Sequence, residues 1–444
     1  MDPILEEIYG LDTKTMEECA KHVMLGGGTR GGPVLERGKG VHVWDSEGRE
    51  YIDCTSQSWA LYLGYANDEI NEVIREHIEQ MTHIHQGFDN KPRFYLARKL
   101  AQLAPGDLNR VSFTVGGGPA VEASMKVAIK NVCPARDFVC LYDSYHGTTL
   151  GSMGASWVST KAARKYYGGS RFLPLTRPFI RVPNPDTYRN PFGVDSETYV
   201  DMCLTIARET LQRGVAGKPA GVLVEPVQAS AGQLILPKRY LQGMREICDE
   251  FETLLIFDEI QTFGRVGRMF AAEHFGVIPD IIVLGKALGG GLPLASVIVS
   301  DRLEGLSPDA EELHTFANPT LSMVTSAKLL ALLEAGVLEN CRKMGAYLGD
   351  ELKKMQKNYP EMGDVRQVGL HIGVEFVKDP ESKEPLFDET PEIRKAGFRH
   401  GIFFGLGGVR KNVLKIKPPL VINRSECDEV LEKTEASIRD VLRK

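Results

Sequence analysis

An acid and a lysine each end a short apolar run in this chain. Leu254-Leu255-Ile256-Phe257 leads into Asp258-Glu259, and Ile281-Ile282-Val283-Leu284 leads into Gly285-Lys286-Ala287-Leu288 and three glycines, Gly289 to Gly291. Runs of this length and composition, bounded by turn-forming residues, read as buried strands. Ligands of an α/β sheet bind outside the carboxyl ends of its parallel strands, so Asp258 and Lys286 are expected to project into one crevice. Such a pair suits pyridoxal phosphate. The lysine holds the cofactor's aldehyde as an imine, and the acid keeps the pyridine nitrogen protonated so that the ring can accept electrons. Taken in isolation, the same pair suits a structural salt bridge equally well.

The elements that would position these residues alternate between strand and helix. Apolar runs at 111–114, 138–142, 221–224, 254–257 and 281–284 are separated by segments long enough for helices, the pattern of a sheet covered on both faces. From Ser326 a helical spacing takes over, with Leu329, Leu333, Val337, Met344, Leu348, Leu352 and Met355 on one side until Pro360 stops it. No internal repeat or low-complexity linker interrupts the chain.

The 444 residues suffice for two or more domains, and 43% hydrophobic with 25% charged residues is ordinary for a globular chain. A net charge of −6 gives no reason to expect nucleic acid or an anionic membrane as a partner. No apolar run reaches about eighteen residues, and the first residues lack the basic and apolar blocks of a signal peptide, so a cytoplasmic location is expected. The eight cysteines show no C-x-x-C spacing; reduced, mostly buried thiols and no metal site are expected.

Several further segments, in order, resemble the class III aminotransferases, fold type I pyridoxal enzymes that include ornithine, 4-aminobutyrate and omega-amino acid transaminases. They are Val43-Trp44-Asp45 with Tyr51-Ile52-Asp53, Tyr145-His146-Gly147, Glu225-Pro226-Val227-Gln228, Asp258-Glu259-Ile260-Gln261-Thr262, Gly285-Lys286-Ala287, His314-Thr315-Phe316 with Asn318-Pro319, and Lys417-Pro418-Pro419-Leu420. The resemblance covers roughly residues 35 to 440. It implies an α/β fold with a large domain, built on a mostly parallel seven-stranded sheet, and a smaller α/β domain made from both ends of the chain. The corresponding boundaries are 1–60 for an N-terminal segment, with its Gly26-Gly27-Gly28 and Gly31-Gly32 loops, 61–330 for the large domain and 331–444 for the small one. Val365-Arg366, Gly369-Leu370 and Gly373-Val374-Glu375-Phe376 resemble the small domain's opening strands.

Carried over residue by residue, the resemblance implies that Lys286 is the catalytic lysine and Asp258 the partner of the ring nitrogen. Tyr145, beside His146, matches the aromatic that stacks on the ring, although an isolated tyrosine is more often core. Gln261 matches the residue that hydrogen-bonds near the phenolic oxygen. Thr315 matches the threonine that reaches the phosphate of a neighbouring subunit, which implies a homodimer, with a tetramer as the larger option. Glu225 matches the acid that pairs with a substrate-binding arginine and switches it out of the way. Gly117 and Gly118 fall where the family cradles the phosphate with Ser, Gly, Ser or Thr, Glu and Ala. Here Gly118 removes a hydroxyl, and Pro119 lacks an N–H while suiting the first helical turn. Two loop departures accompany this: one glycine fewer between Thr262 and Phe263, and Ala317 where the family commonly has two glycines.

Substrate recognition is the least determined part. Many members place an arginine before the Pro-Pro-Leu segment to grip a carboxylate in a two-pronged fashion, whereas this chain has Lys415, a point charge. A solvated lysine on a strand is the competing reading. Arg410 could supply the guanidinium or pair on the surface. Trp59 and Phe88 lie in segments that line the family's substrate pocket and equally suit packing.

The implied activity is a ping-pong aminotransferase, moving an amino group from an amino acid or primary amine to a keto acid. Lys286, displaced by the incoming amine, is placed to move the Cα proton. Returning that proton to the opposite face of Cα would make a racemase or epimerase, and expelling a β-substituent would make a lyase. A catalytically silent interaction protein is a further alternative, against which the retention of Lys286, Asp258 and Tyr145 argues.

Overall fold

The structure is a computed structural model that describes residues 2–24, 32–157, 172, 174–308 and 311–443. Gly26, Gly27, Gly28 and Gly31 lie outside the described residues. Among the described residues two extended sheets have seven strands each, and the mostly parallel one runs in the order Leu108–Thr114, Ala295–Ser300, Ile281–Leu284, Leu254–Asp258, Gly221–Val224, Phe138–Leu141 and Ile180–Val182. Only Ala295–Ser300 runs antiparallel to its neighbours; the other pairings are parallel.

The uninterrupted apolar runs have a physical cause in this sheet. Successive side chains point to opposite faces, and each face has its own core. Ile256, Ile281 and Val283 pack with Val121 and Val127 of the helix Gly117–Asn131. Leu255, Phe257, Ile282 and Leu284 pack on the other side with Tyr240, Met244 and Ile247 of the helix Lys238–Glu250. Every residue of Leu254–Asp258 and Ile281–Leu284 is buried.

The second sheet also has seven strands, in the order Leu35–Lys39, His42–Asp45, Glu50–Cys54, Ile402–Gly407, Val413–Ile416, His371–Phe376 and Met362–Val368. It joins the two ends of the chain: Ile52 pairs with Ile402 and Asp53 with Phe403 in a parallel register. The helical spacing from Ser326 corresponds to two helices, Thr320–Leu332 and Leu338–Gln356, with a π turn at Leu333–Val337 where Gly336 takes φ +140°. This segment is long and apolar enough to cross a membrane by length and composition, with an eighteen-residue window of mean hydropathy 1.6. Its first helix packs against Asp68–Ile78 and Lys91–Leu103. All eight cysteines are free thiols, six of them buried, with Cys19 and Cys133 exposed.

Candidate active site

The parallel strands deliver their carboxyl ends to one edge of the mostly parallel sheet. Tyr145 and His146 follow Phe138–Leu141, Glu225 follows Gly221–Val224, Asp258 ends its strand, and Lys286 follows Ile281–Leu284. These residues line one solvent-open cleft of about 670 Å³ together with Gly117, Gly118, Thr149 and Gln261.

Lys286 lies one residue past the extended Gly285 and takes φ +47°, in the left-handed region that L-residues occupy at a cost of roughly 1–2 kcal/mol. The turn Lys286–Gly289 then closes on Gly290 at φ +62°. Burial holds the Lys286 amine below its ordinary range, against the opposing charges of Asp258 and Glu225. A neutral amine is the form that attacks an aldehyde.

Asp258 is fixed from two sides. His146 Nδ1 lies 2.8 Å from its Oδ2, and the Ile260 N–H donates to its Oδ1 at 3.1 Å. Because an ionised carboxylate only accepts, the imidazole proton belongs on Nδ1. Burial disfavours an imidazolium at His146, but the hydrogen bond and charge of Asp258 outweigh it and hold the ring above its usual range. Its Nε2 is buried with no partner among the described residues. Glu225 accepts the Tyr145 N–H at 2.7 Å, and burial pushes its carboxyl up to about 7.

Gln261 is oriented from behind. Lys417 Nζ donates to Gln261 Oε1 at 3.0 Å, so the amide nitrogen is the end left for the cleft. Lys417 is fully buried and held well below the ordinary lysine range, by burial first and then by the charges of Arg265, Lys415 and Lys286. Lys415, also buried, is lowered to about 8 for the same first reason, with Lys286 lowering it further and Glu225 opposing. The ring of half-buried Trp59 lies beneath both ammonium groups, 4.9 Å from Lys415 Nζ and 4.3 Å from Lys417 Nζ. Trp59 ends a turn in which Ser56, Gln57, Ser58 and Trp59 all take φ between +44° and +69°.

The residues named from the sequence therefore divide. Lys286, Asp258, Tyr145, His146, Glu225, Gln261, Gly117 and Gly118 share the cleft, and Lys415 and Trp59 sit together beside it. Arg410 is exposed and lines a different cleft with Asp143, Asp186 and Glu375. Phe88 and Thr315 are exposed and line neither. Sequence reasoning assigns no role to Lys417, Arg265 or Thr149. Lys417 had a signal in its position between a strand and two prolines. Arg265 had none: its guanidinium is fully buried, donating to the Leu370 and Pro418 carbonyls at 3.1 and 2.9 Å.

The groups present fit pyridoxal phosphate. A buried lysine amine, a carboxylate held by two donors, an amide nitrogen and a helix start without side-chain bulk line one cleft. At that helix start, a Cβ on Gly117 would lie 2.9 Å from Ile260 Cδ1 and one on Gly118 would lie 2.8 Å from Thr149 Cγ2.

Comparison with known proteins agrees. Residues 29–438 match the family Aminotransferase class-III. Among relatives, a leucine/methionine racemase of Thermococcus litoralis is 33% identical, covering 92% of this chain and 91% of its own length. An adenosylmethionine-8-amino-7-oxononanoate aminotransferase of Geobacter sulfurreducens is 32% identical, covering 92% of each. A thermostable (S)-enantioselective omega-transaminase from Thermomicrobium roseum has a crystal structure that superposes with a TM-score of 0.86 at 30% identity, over 97% of this chain and 99% of that one. The chain belongs to the class III aminotransferases, fold type I enzymes that use pyridoxal phosphate to move an amino group from a donor amine to a keto acid.

Proposed function

We propose that Lys286 bonds the cofactor's aldehyde and moves the substrate proton, that Asp258 pairs with the ring nitrogen, and that Lys415 receives the carboxylate of an amino acid donor. The observation that carries this reading is the convergence of Lys286, Asp258 and the glycine start of Gly117–Asn131 on one cleft. When bound, the cofactor supplies an electron-accepting ring that acidifies the hydrogen on the donor's amine-bearing carbon. The protein's part is positional and electrostatic. His146 holds Asp258 in place. Burial holds the Lys286 amine below its ordinary range, which favours the unprotonated form that takes up a proton. Tyr145 would lie against the ring, and the amide nitrogen of Gln261, left free by the Lys417 contact, would supply it with a donor.

The carboxylate grip follows from charge. Lys415 is a buried cation beside the cleft, with its stem packed along Gly405 of the neighbouring strand. Glu225 is the acid that competes for it, and its rise to about 7 lets it yield as it takes a proton. Donors that lack a carboxylate are then accommodated by the Lys415–Glu225 attraction. Arg410, on the other cleft, acts by charge on Asp143, opposing the burial that raises that carboxyl.

The working unit of this reading is a cytoplasmic homodimer. The Asn318 amide nitrogen donates to the Phe88 carbonyl at 3.1 Å, so the exposed Phe88, Thr315 and Phe316 form one surface, 67% exposed at Phe88 and 63% at Phe316. That surface would complete the partner's cleft. Sedimentation at twice the 49.1 kDa chain mass would support the dimer, and a monomer with full activity would refute it.

A second reading, racemisation, is favoured by the relative named as a leucine/methionine racemase and by Glu225, a buried carboxyl in the cleft raised to about 7. A donor panel with pyruvate and 2-oxoglutarate, read with chiral product analysis, separates the two. Transfer releases about one equivalent of carbonyl product per site from donor alone. Racemisation releases none and inverts the donor.

A further inference from the structure

A phosphate dianion needs several donors, and the helix that opens on the cleft supplies few. The first N–H groups of a helix have no partner within it, which makes them anion ligands. At Gly117–Asn131, however, the residue before the helix is Gly116, which gives no side-chain cap, and Pro119 has no N–H at all. The Ala120 N–H is already taken by the Gly116 carbonyl at 3.0 Å. Gly117 and Gly118 are left with their backbone N–H groups, and neither carries a hydroxyl.

The place where a hydroxyl at position 118 would stand is occupied. A Cβ built on Gly118 lies 2.8 Å from Thr149 Cγ2 and 3.0 Å from Thr149 Oγ1. Thr149 comes from the loop after Tyr145-His146-Gly147 and lines the cleft beside Gly117 and Gly118. Two contacts hold it there. Thr149 Oγ1 and Ser152 Oγ are 2.9 Å apart, and Gly147, at φ +115°, brings its backbone so close that a Cβ on it would lie 3.1 Å from Gly118 Cα. Ser152 is itself buried, so its hydroxyl fixes the Thr149 rotamer.

We propose that Thr149 Oγ1 is a ligand of the cofactor's phosphate, supplied from a neighbouring loop in place of the side chain that Gly118 lacks. Gly118 and Thr149 then form one functional unit: the glycine makes the room and the threonine fills it with a donor. This inference rests on the cleft being the cofactor's, and the test keeps the two apart.

The test measures binding to the full-length chain freed of cofactor, by absorbance or fluorescence titration. Three probes are used: pyridoxal phosphate, inorganic phosphate in competition with it, and pyridoxal, which lacks the phosphate. Thr149→Val is expected to weaken pyridoxal phosphate and inorganic phosphate by about tenfold or more, the size of a lost hydrogen bond to a charged group. Pyridoxal should change less than about twofold, and Thr149→Ser should restore all three probes. Gly118→Ser alone should weaken the phosphate-bearing probes through its clash with Thr149. The exchange Gly118→Ser with Thr149→Gly should recover most of that loss. The proposal is overturned if Thr149→Val holds inorganic phosphate as the wild type does, or if it weakens pyridoxal as much as pyridoxal phosphate. A wild-type chain that binds none of the probes would instead overturn the cofactor assignment.

Discussion

His146 Nδ1 and Asp258 Oδ2 are joined by a 2.8 Å hydrogen bond between two side chains that are almost wholly buried. The imidazole holds the carboxylate in one orientation, so the two residues act as a pair.

Removing the charge should therefore cost more than removing the bond. Asp258→Asn is expected to slow proton transfer by about 100-fold or more, the scale of a lost preorganised charge. His146→Gln should cost less, about tenfold, because the Ile260 N–H still holds one carboxylate oxygen. Single-turnover rates with a saturating donor measure both. Near-wild-type rates for Asp258→Asn would mean that another group protonates the ring.

Lys286→Ala should abolish turnover and the visible absorbance of the bound cofactor while leaving the fold unchanged by circular dichroism. The left-handed backbone at Lys286 makes Lys286→Gly the less strained replacement, so that variant should melt at or above the alanine variant. Recovery of near-full turnover in either variant without added amine would remove Lys286 from its assigned role.

Donor charge offers a pH-dependent test. Burial lowers Lys415 to about 8, so its ammonium is present below that pH and lost above it. The KM of an amino acid donor should rise as pH passes through about 8, while that of an amine without a carboxylate should not follow. Lys415→Arg, always charged, should hold the amino acid KM flat to higher pH. Lys415→Ala should raise it by about tenfold at neutral pH, and Arg410→Ala should leave it nearly unchanged. Equal losses for both donor types would mean that Lys415 does not read the carboxylate.

Glu225 has a stability signature. Its folded-state value is raised from 4.5 to about 7, so between those values the folded chain binds the extra proton. Stability contributed by the protonated form is then present at low pH and lost as pH rises toward 7. Glu225→Gln, which cannot ionise, should flatten part of that decline in urea melts of the cofactor-free chain. Glu259, raised to about 7 by its own burial, retains its share. An unchanged pH slope in Glu225→Gln would mean that Glu225 ionises normally.

The left-handed turn at Ser56–Trp59 is open to relief. Ser58 is exposed at φ +58°, so Ser58→Gly should stabilise the chain by up to about 1 kcal/mol, read as a higher melting temperature. A lower melting temperature would show that the serine hydroxyl matters more than its backbone.

Much of the mostly parallel sheet is legible because burial on both faces writes itself as an unbroken apolar run, as at Leu254–Phe257 and Ile281–Leu284. The same feature hides direction. Nothing in Ala295–Ser300 says that it runs against its neighbours, since strand polarity is set by the connection and not by the residues. Ile180–Val182 is too short to carry a pattern. The spacing of Leu329, Leu333 and Val337 continues through the π turn, so only Gly336 marks the break. At the site, residues at strand ends were legible because the sheet edge gathers them. Trp59 and Lys415 were named separately, but their contact depends on a left-handed turn that no propensity favours. Phe88 and Thr315 lie on the surface of this chain, apart from the cleft.

The parallel pairing of Ile52 with Ile402 has a cost in time. The ribosome releases the first strands about 350 residues before the strand that completes their sheet. At about 5–20 residues per second that interval lasts roughly 20 to 70 s. Through it, Glu50–Cys54, four of whose five residues end up buried, has no partner on one edge. Nascent chains of this protein should therefore engage holding chaperones at their amino-terminal end. Moving the amino-terminal strands behind the last helix by circular permutation should shorten that exposure.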